Sequence, residues 1–259
     1  MIRRIPTNVH KLPSPIVRAI MNDPYDAGRA DISTTRLINP PQIETLRYRY
    51  KDRIVEDVSE RIWTLLGQAT HVIAERAADE KVISEKRFFA QMDGWTVSGA
   101  VDLIEGTTLI DYKVTSVWTY IYKSRIEEWT AQGNVNRWLA AQNGLTALDK
   151  MENILILRDW AKRDAAKKAD YPQVQIVTQP LEVWPIEKAE AYVRERVLLH
   201  QKARAAKDED MPPCSTEDRW SNKGRYIRCE DYCPAKAFCH QFKREPKPEI
   251  KNADESGSN

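Results

Sequence analysis

The sequence has no cysteine before position 214, no run near the ~18 apolar residues of a membrane span, and almost no excess charge of either sign. The missing span gives no expectation of a membrane protein. The opening segment MIRRIPTNVHKLPSP has two arginines but no apolar stretch behind them, so a secretory signal is not expected. Both point to a soluble, cytoplasmic protein. The formal net charge of +2 neither demands nor excludes a nucleic-acid partner, because a basic groove can be offset by acidic faces elsewhere. No internal repeat is present. What remains is a chain of 259 residues, 42% hydrophobic and 30% charged, long enough for one good core and a small appendage.

The order of periodic segments sets the expected fold. Residues 1–30 read as an irregular N-terminal arm with one helical turn near Ile16–Met21. In the segment 31–41, Ser33 or Thr34 is placed to cap a short helix that Pro40 and Pro41 stop. From 42 to 80 apolar residues recur at three- and four-residue steps, including Ile54, Val58, Ile62, Leu66, Val72 and Ile73, which predicts one long helix buried along that stripe. Thr64, Gly67, His71 and Glu75 form a second stripe beside it. Gly67 costs ~1 kcal/mol against Ala inside a helix, so close packing next to His71 is expected there. Strands follow at 82–90 and in a hairpin over 95–115, then a helix over 118–143, strands at 152–160 and 174–184, and a helix over 186–206. The expectation is an α/β (α+β) fold with a central mixed sheet flanked by helices. A core over 31–208 would be followed by a cysteine-rich segment over 209–243 and a polar, disordered tail over 244–259.

The hairpin carries the chemistry. Side chains alternate on a strand, so Asp111 and Lys113 project from one face while Ile110, Tyr112 and Val114 take the other. Asp102 ends the first strand of the pair. Two hard carboxylates suit Mg²⁺ or Mn²⁺, with the Tyr112 carbonyl placed to complete the shell. A neighbouring lysine can orient or help deprotonate a water, or offset charge that develops on a phosphate. The bland alternative is a surface hairpin with a cross-strand ion pair. For His71 alone, a satisfied histidine at the core edge is the commoner reading.

Two other stretches stand out. The segment 117–129 interleaves Trp118, Tyr120 and Tyr122 with Lys123 and Arg125, as in strands of protein that stack bases and hold phosphates. Trp118 and Tyr122 fit a buried face of an amphipathic helix equally well. Thr115 and Ser116 suit either a phosphate or the cap of the next helix. The second is the cysteine set Cys214-x14-Cys229-x3-Cys233-x5-Cys239. Four thiols within 26 residues, in a segment poor in aliphatics, suggest a metal that supplies folding energy. Either Zn²⁺ or an iron–sulfur cluster suits four thiolates, and His240 is a substitute ligand.

Asp102, eight intervening residues, then the run Asp111-Tyr112-Lys113 together resemble the second and third motifs of the PD-(D/E)XK nuclease superfamily. Gly67-x-x-x-His71 resembles the first motif of its RecB-like branch, which includes the CRISPR-associated exonucleases and many phage proteins. Glu127-Glu128-Trp129 followed by Gln132 resembles that branch's glutamine motif, although Asn136 stands where a tyrosine is usual. The segments over 32–41, 159–160, 171–172 and 212–220 are similar to those of phage-encoded members. The resemblance implies a restriction-endonuclease-like core. It further implies His71, Asp102 and Asp111 on the metal, and Lys113 and Gln132 serving the reaction. Several members of the branch carry a 4Fe-4S cluster whose C-terminal cysteines are similar to Cys229, Cys233 and Cys239, with a first cysteine from before the core. Here Cys214 would have to replace it. The function so implied is a Mg²⁺- or Mn²⁺-dependent DNA nuclease, in its expected form an exonuclease of recombination, repair or phage DNA processing. A helicase, recombinase or single-strand-binding protein would be its companion. A catalytically inactive nuclease fold that binds DNA or protein, or a cysteine–metal module on an inert scaffold, is the alternative.

Overall fold

A computed structural model describes residues 5–21, 29–222 and 224–244. The expected disordered tail lies almost wholly outside them. In chain order the elements are β1 (Ile5–Thr7), α1 (Ser14–Met21), β2 (Ile32–Ser33), α2 (Thr34–Ile38), α3 (Pro41–Arg49), β3 (Val55–Asp57) and α4 (Ile62–Ala77). They continue with β4 (Ile83–Met92), β5 (Trp95–Glu105), β6 (Thr108–Thr115), α5 (Val117–Ile121), α6 (Ile126–Gln142), β7 (Lys150–Leu157), α7 (Lys162–Ala165), β8 (Ile176–Pro180) and α8 (Ile186–Ala205). Two short strands, β9 (Ser221–Asn222) and β10 (Arg225–Tyr226), and α9 (His240–Arg244) close the described chain. No helix among the described residues is long and apolar enough to cross a membrane.

The chain divides into two compact units. Among the described residues, one comprises Thr7–Ile38 and Asp57–Val197, and the other 5–6, Asn39–Glu56 and 198–244.

The first unit is built on a six-stranded mixed sheet. Asp93 and Gly94, both at positive φ (46° and 82°), make the two-residue turn between Met92 and Trp95 and so fix the β4–β5 register. β4 covers one edge of β5 along nearly its whole length. The other edge is shared: β2 runs parallel to it at Val97 and Ser98, and β6 antiparallel at Leu103–Glu105. β7 then pairs parallel with β6 and antiparallel with β8. Trp129, Val135, Trp138 and Leu139 of α6 are buried in the core with Val97, Val101, Leu109 and Leu155 of the strands and Ala189, Val193 and Val197 of α8. This is the mixed sheet flanked by helices that the segment order predicts.

The helices depart from expectation in three places. The predicted helix over 42–80 is broken into α3, β3 and α4. Its apolar stripe splits accordingly: Ile54 and Val58 are buried, whereas Ile62, Leu66, Val72 and Ile73 are exposed. The polar stripe of α4 faces the sheet instead, so periodicity finds the stripe but assigns it the wrong side. Gly67 is not packed closely either, because a Cβ there would meet nothing within 4 Å. The helix over 118–143 is two helices, α5 and α6, interrupted at Lys123, whose φ of 51° is left-handed.

One glycine is required by packing. A Cβ on Gly99 would lie 2.2 Å from Asn136 Oδ1 and 2.5 Å from Thr34 Oγ1. These two side chains hydrogen-bond each other at 2.8 Å, and Asn136 Nδ2 also donates to the Ala100 carbonyl at 3.1 Å. Asn136 therefore pins α6 to β5 one turn after Gln132. Gly99→Ala should lower stability by about 1–3 kcal/mol through overpacking, read as a fall in the urea midpoint. An unchanged midpoint would show that α6 slides freely over β5.

Candidate active site

The acids meet where two strands part. β5 and β6 pair as far as Leu103–Ile110, and the next step of the same register sets Asp102 opposite Asp111. There the strands splay. The Tyr112 N–H donates to Asp102 Oδ2 at 2.7 Å. Both carboxylates are buried, at 7% and 8% exposure, on the floor of an open cleft of about 670 Å³.

The remaining groups close around this pair. Lys113 Nζ lies 2.5 Å from Asp111 Oδ2 and donates to Gln132 Oε1 at 3.0 Å, while Gln132 Nε2 reaches Asp111 Oδ1 at 3.3 Å. Gln132 thus bridges acid and lysine from α6. From α4, His71 Nδ1 lies 3.1 Å from Glu85 Oε1 and 3.5 Å from Asp102 Oδ1, with its ring edge-on to Tyr112. The structure therefore brings His71, Asp102, Asp111, Lys113 and Gln132 together in one cleft, with Tyr112 joined to it through its N–H on Asp102.

Glu85 was missed by sequence reasoning. It lies in β4 at a left-handed φ of 47°, an unusual backbone for a non-glycine residue in a strand and one that tends to mark functional sites. Its neighbours Ser84 and Lys86 pair with Leu103 and Val101, so Glu85 stands opposite Asp102. Glu85, Asp102 and Asp111 form a row across three adjacent strands. Counting back from the Asp93–Gly94 turn would have found it.

The electrostatics follow from burial and crowding. Burial, and then the charge of Asp111, push Asp102 up to about 7, against the pull of His71, Lys113 and the Tyr112 N–H. The hydrogen bond that Glu85 accepts raises His71 above its ordinary value, with the Asp102 charge acting in the same direction and burial opposing both. Burial also raises Tyr112. A cation fits this site. Ligand atoms of His71, Glu85 and Asp102 lie within 4.8 Å of one another, a spacing one ion can span, and Asp111 Oδ2 is buried with no aligned hydrogen bond.

The sequence candidates for DNA contact are placed variously. Thr115 is buried. Ser116 caps α5, accepting from Trp118 N–H and donating to Asp159 at 2.6 Å. Arg125 is paired with Glu128 in a two-pronged contact. Lys123 is exposed. Trp118 and Tyr122, which a buried helix face would have hidden, are 46% and 71% exposed.

In the second unit all four cysteines line one small cavity, together with Gln42, Leu46 and Gln241. His240 is not among the residues lining it. Gln42 Oε1 lies 3.4 Å from Cys214 Sγ and 3.8 Å from Cys239 Sγ, and the Phe242 N–H donates to Cys239 Sγ at 3.4 Å. Burial raises the Cys214 and Cys233 thiols, the latter to about 11, and raises Cys229 against the opposing contact of Arg219. Leu46, Met211, Ala235 and Cys239 form a small apolar core beside the cavity, flanked by the stacked rings of Tyr50 and Phe238.

No curated protein is significantly similar to this chain. The fold is shared with the crystal structure of SSO0001, at a TM-score of 0.57 and 13% identity over 90% of this chain and 98% of that one. A family model described as the PD-(D/E)XK nuclease superfamily matches residues 20–240. With the acids, lysine and splayed strands in place, the chain belongs to the PD-(D/E)XK nuclease superfamily.

Proposed function

We propose that this chain is a Mg²⁺- or Mn²⁺-dependent deoxyribonuclease. The observation that carries the reading is the row of three carboxylates at the β5–β6 fork, flanked by His71 on one side and by Lys113 and Gln132 on the other. His71, Asp102 and Asp111 are the residues to hold the ion, with Glu85 and the Tyr112 carbonyl beside them. A divalent ion in such a site polarises a phosphate and lowers the pKa of a bound water. The chain's own groups do the rest. Tyr112 N–H fixes one oxygen of Asp102, and Glu85 holds the His71 ring. Gln132 locks the Lys113 ammonium against Asp111, where its charge can meet the charge that develops on a phosphate. The exonuclease form, and a setting in DNA recombination, repair or phage DNA processing beside a helicase, recombinase or single-strand-binding protein, rest on the RecB-like motifs. A cytoplasmic location is proposed with them.

We infer also that the four thiols hold a metal centre. Tetrahedral Zn²⁺ with bonds of ~2.3 Å needs its sulfurs about 3.8 Å apart. Among the described residues no three of these thiols fall within 4.8 Å of one another, although all four line one cavity. An iron–sulfur cluster, whose ligands bind different irons, and Zn²⁺ remain the two candidates for four thiolates. Its role is to staple the second unit.

The test of the nuclease reading is incubation of the protein with linear single- and double-stranded DNA in Mg²⁺ or Mn²⁺, beside Asp111→Ala and Lys113→Ala. Metal-dependent cleavage lost in both variants is expected. Equal cleavage by all three proteins, or none in either metal, would overturn it.

A further inference from the structure

Three large aromatic side chains stand in water at the end of the active-site strand. Trp63, Trp118 and Tyr122 are 55%, 46% and 71% exposed. Single exposed aromatics are ordinary on a protein surface, but these are arranged. The rings of Trp118 and Tyr122 stack, with centroids 5.9 Å apart and planes 20° apart. Trp118 also leans edge-on against buried Tyr171, which fixes its orientation. The Arg158 guanidinium lies 4.2 Å above the Trp63 ring.

The two groups are tied to one place. Arg158 N–H donates to the Thr115 carbonyl at 2.9 Å, two residues past Lys113. Asp159, the next residue, accepts from Ser116 Oγ and from Val117 N–H at 2.7 Å, and so seats α5, which carries Trp118. Trp63 immediately precedes Thr64, which lines the catalytic cleft. Lys123 follows Tyr122, exposed and held at a left-handed φ that an L-residue adopts only at a cost. A glycine would turn the chain there without that cost, yet the position carries a cation.

We propose that Trp118 with Tyr122, and Trp63 with Arg158, form a base-stacking site for an unpaired stretch of the DNA substrate beside the cleft. A paired base has both faces covered by its neighbours, whereas an unpaired base offers a face to an aromatic ring. Arg158, stacked on Trp63, keeps N–H groups for phosphates, and Lys123 adds a second cation. Alternating rings and cations are the chemistry of sequence-tolerant single-strand binding. The proposal rests on the nuclease reading for the identity of the substrate, but its test needs no cleavage.

The full chain is titrated, in buffer free of divalent ions, with a fluorescein-labelled single-stranded DNA oligonucleotide and with a blunt duplex of the same sequence. Tyr122→Ala and Trp63→Ala should each weaken single-strand binding about fivefold or more and leave duplex binding unchanged, while Tyr122→Phe keeps the wild-type affinity. Tyr122 is the most exposed of the three, so a folding failure is not expected, and circular dichroism melting checks it. Wild-type affinity in both alanine variants overturns the proposal. So does an equal loss for single strand and duplex, or no single-strand binding by the wild type. Cleavage in Mg²⁺ with unchanged variant binding would sink the stacking site alone. Selective binding without cleavage in any metal would sink the nuclease reading alone.

Discussion

Asp102→Asn abolishes hydrolysis and, in the protein free of divalent ions, raises stability at pH 8. Both outcomes come from one carboxylate. With Mg²⁺ saturating, loss of a charged ligand should cost at least about 10³-fold in cleavage rate. Without the ion, Asp102 is a buried acid beside a second acid, raised from 3.8 to about 7. Its folded value lies above its unfolded value, so the folded state binds more protons between these limits. The stabilisation is therefore complete below about pH 4 and lost as pH rises through 7. At pH 8 the ionised group costs up to about 4 kcal/mol relative to the unfolded chain, at about 1.4 kcal/mol per unit. His71, also raised, contributes in the same direction. An asparagine keeps an oxygen for the Tyr112 N–H and carries no charge, so it removes most of this slope. Urea melts at pH 5 and pH 8 would show wild type losing a few kcal/mol and the variant far less. Added Mg²⁺ should flatten the wild-type slope, because a cation then neutralises what a proton did. A wild type equally stable at both pH values, with Asp102→Asn weaker at pH 8, would refute the account.

Cys233→Ser should strip the bound metal and unfold the second unit while the first remains folded. Among the described residues the apolar cluster beside the thiols is Leu46, Met211, Ala235 and Cys239, with Ile43, Ile54 and Ala203 the other buried aliphatics of this unit, too little to hold a unit of this size by burial alone. Structural Zn²⁺ in small domains supplies about 10–16 kcal/mol of folding free energy, and a cluster on four thiolates would be of comparable weight. Three measurements would agree: metal analysis, loss of an absorption band near roughly 400 nm if iron and sulfide are bound, and rapid proteolysis confined to 39–56 and the C-terminal segment. Purified wild type with four reactive thiols, no metal and an intact protease-resistant C-terminal segment would refute it.

The site was largely legible because its parts are local. Asp111 and Lys113 sit two apart on a strand, and Asp102 is set by a short turn at Gly106, so period-two alternation brings them together. Gln132 and His71 needed the resemblance, since nothing in a helix stripe says which strand it will face. Glu85 was hidden among charged neighbours in β4, and its carboxylate matters only through a non-local register and an unusual φ. The exposed stripe of α4 shows the opposite failure. Its apolar residues repeat correctly, but the cleft claims the polar face. In the second unit, the spacing of the cysteines was plain, whereas Gln42 and Leu46 joining them from far upstream was not.

That upstream partnership has a consequence in time. Gln42 and Cys214 are 172 residues apart in sequence. At about 5–20 residues per second of synthesis, α3 waits roughly 10–35 s for the thiols it packs against. The first unit is completed by Val197, before any cysteine has been made. The nuclease sheet can therefore form on the ribosome before the thiols exist, and the metal centre proposed for them would be the last part the chain acquires.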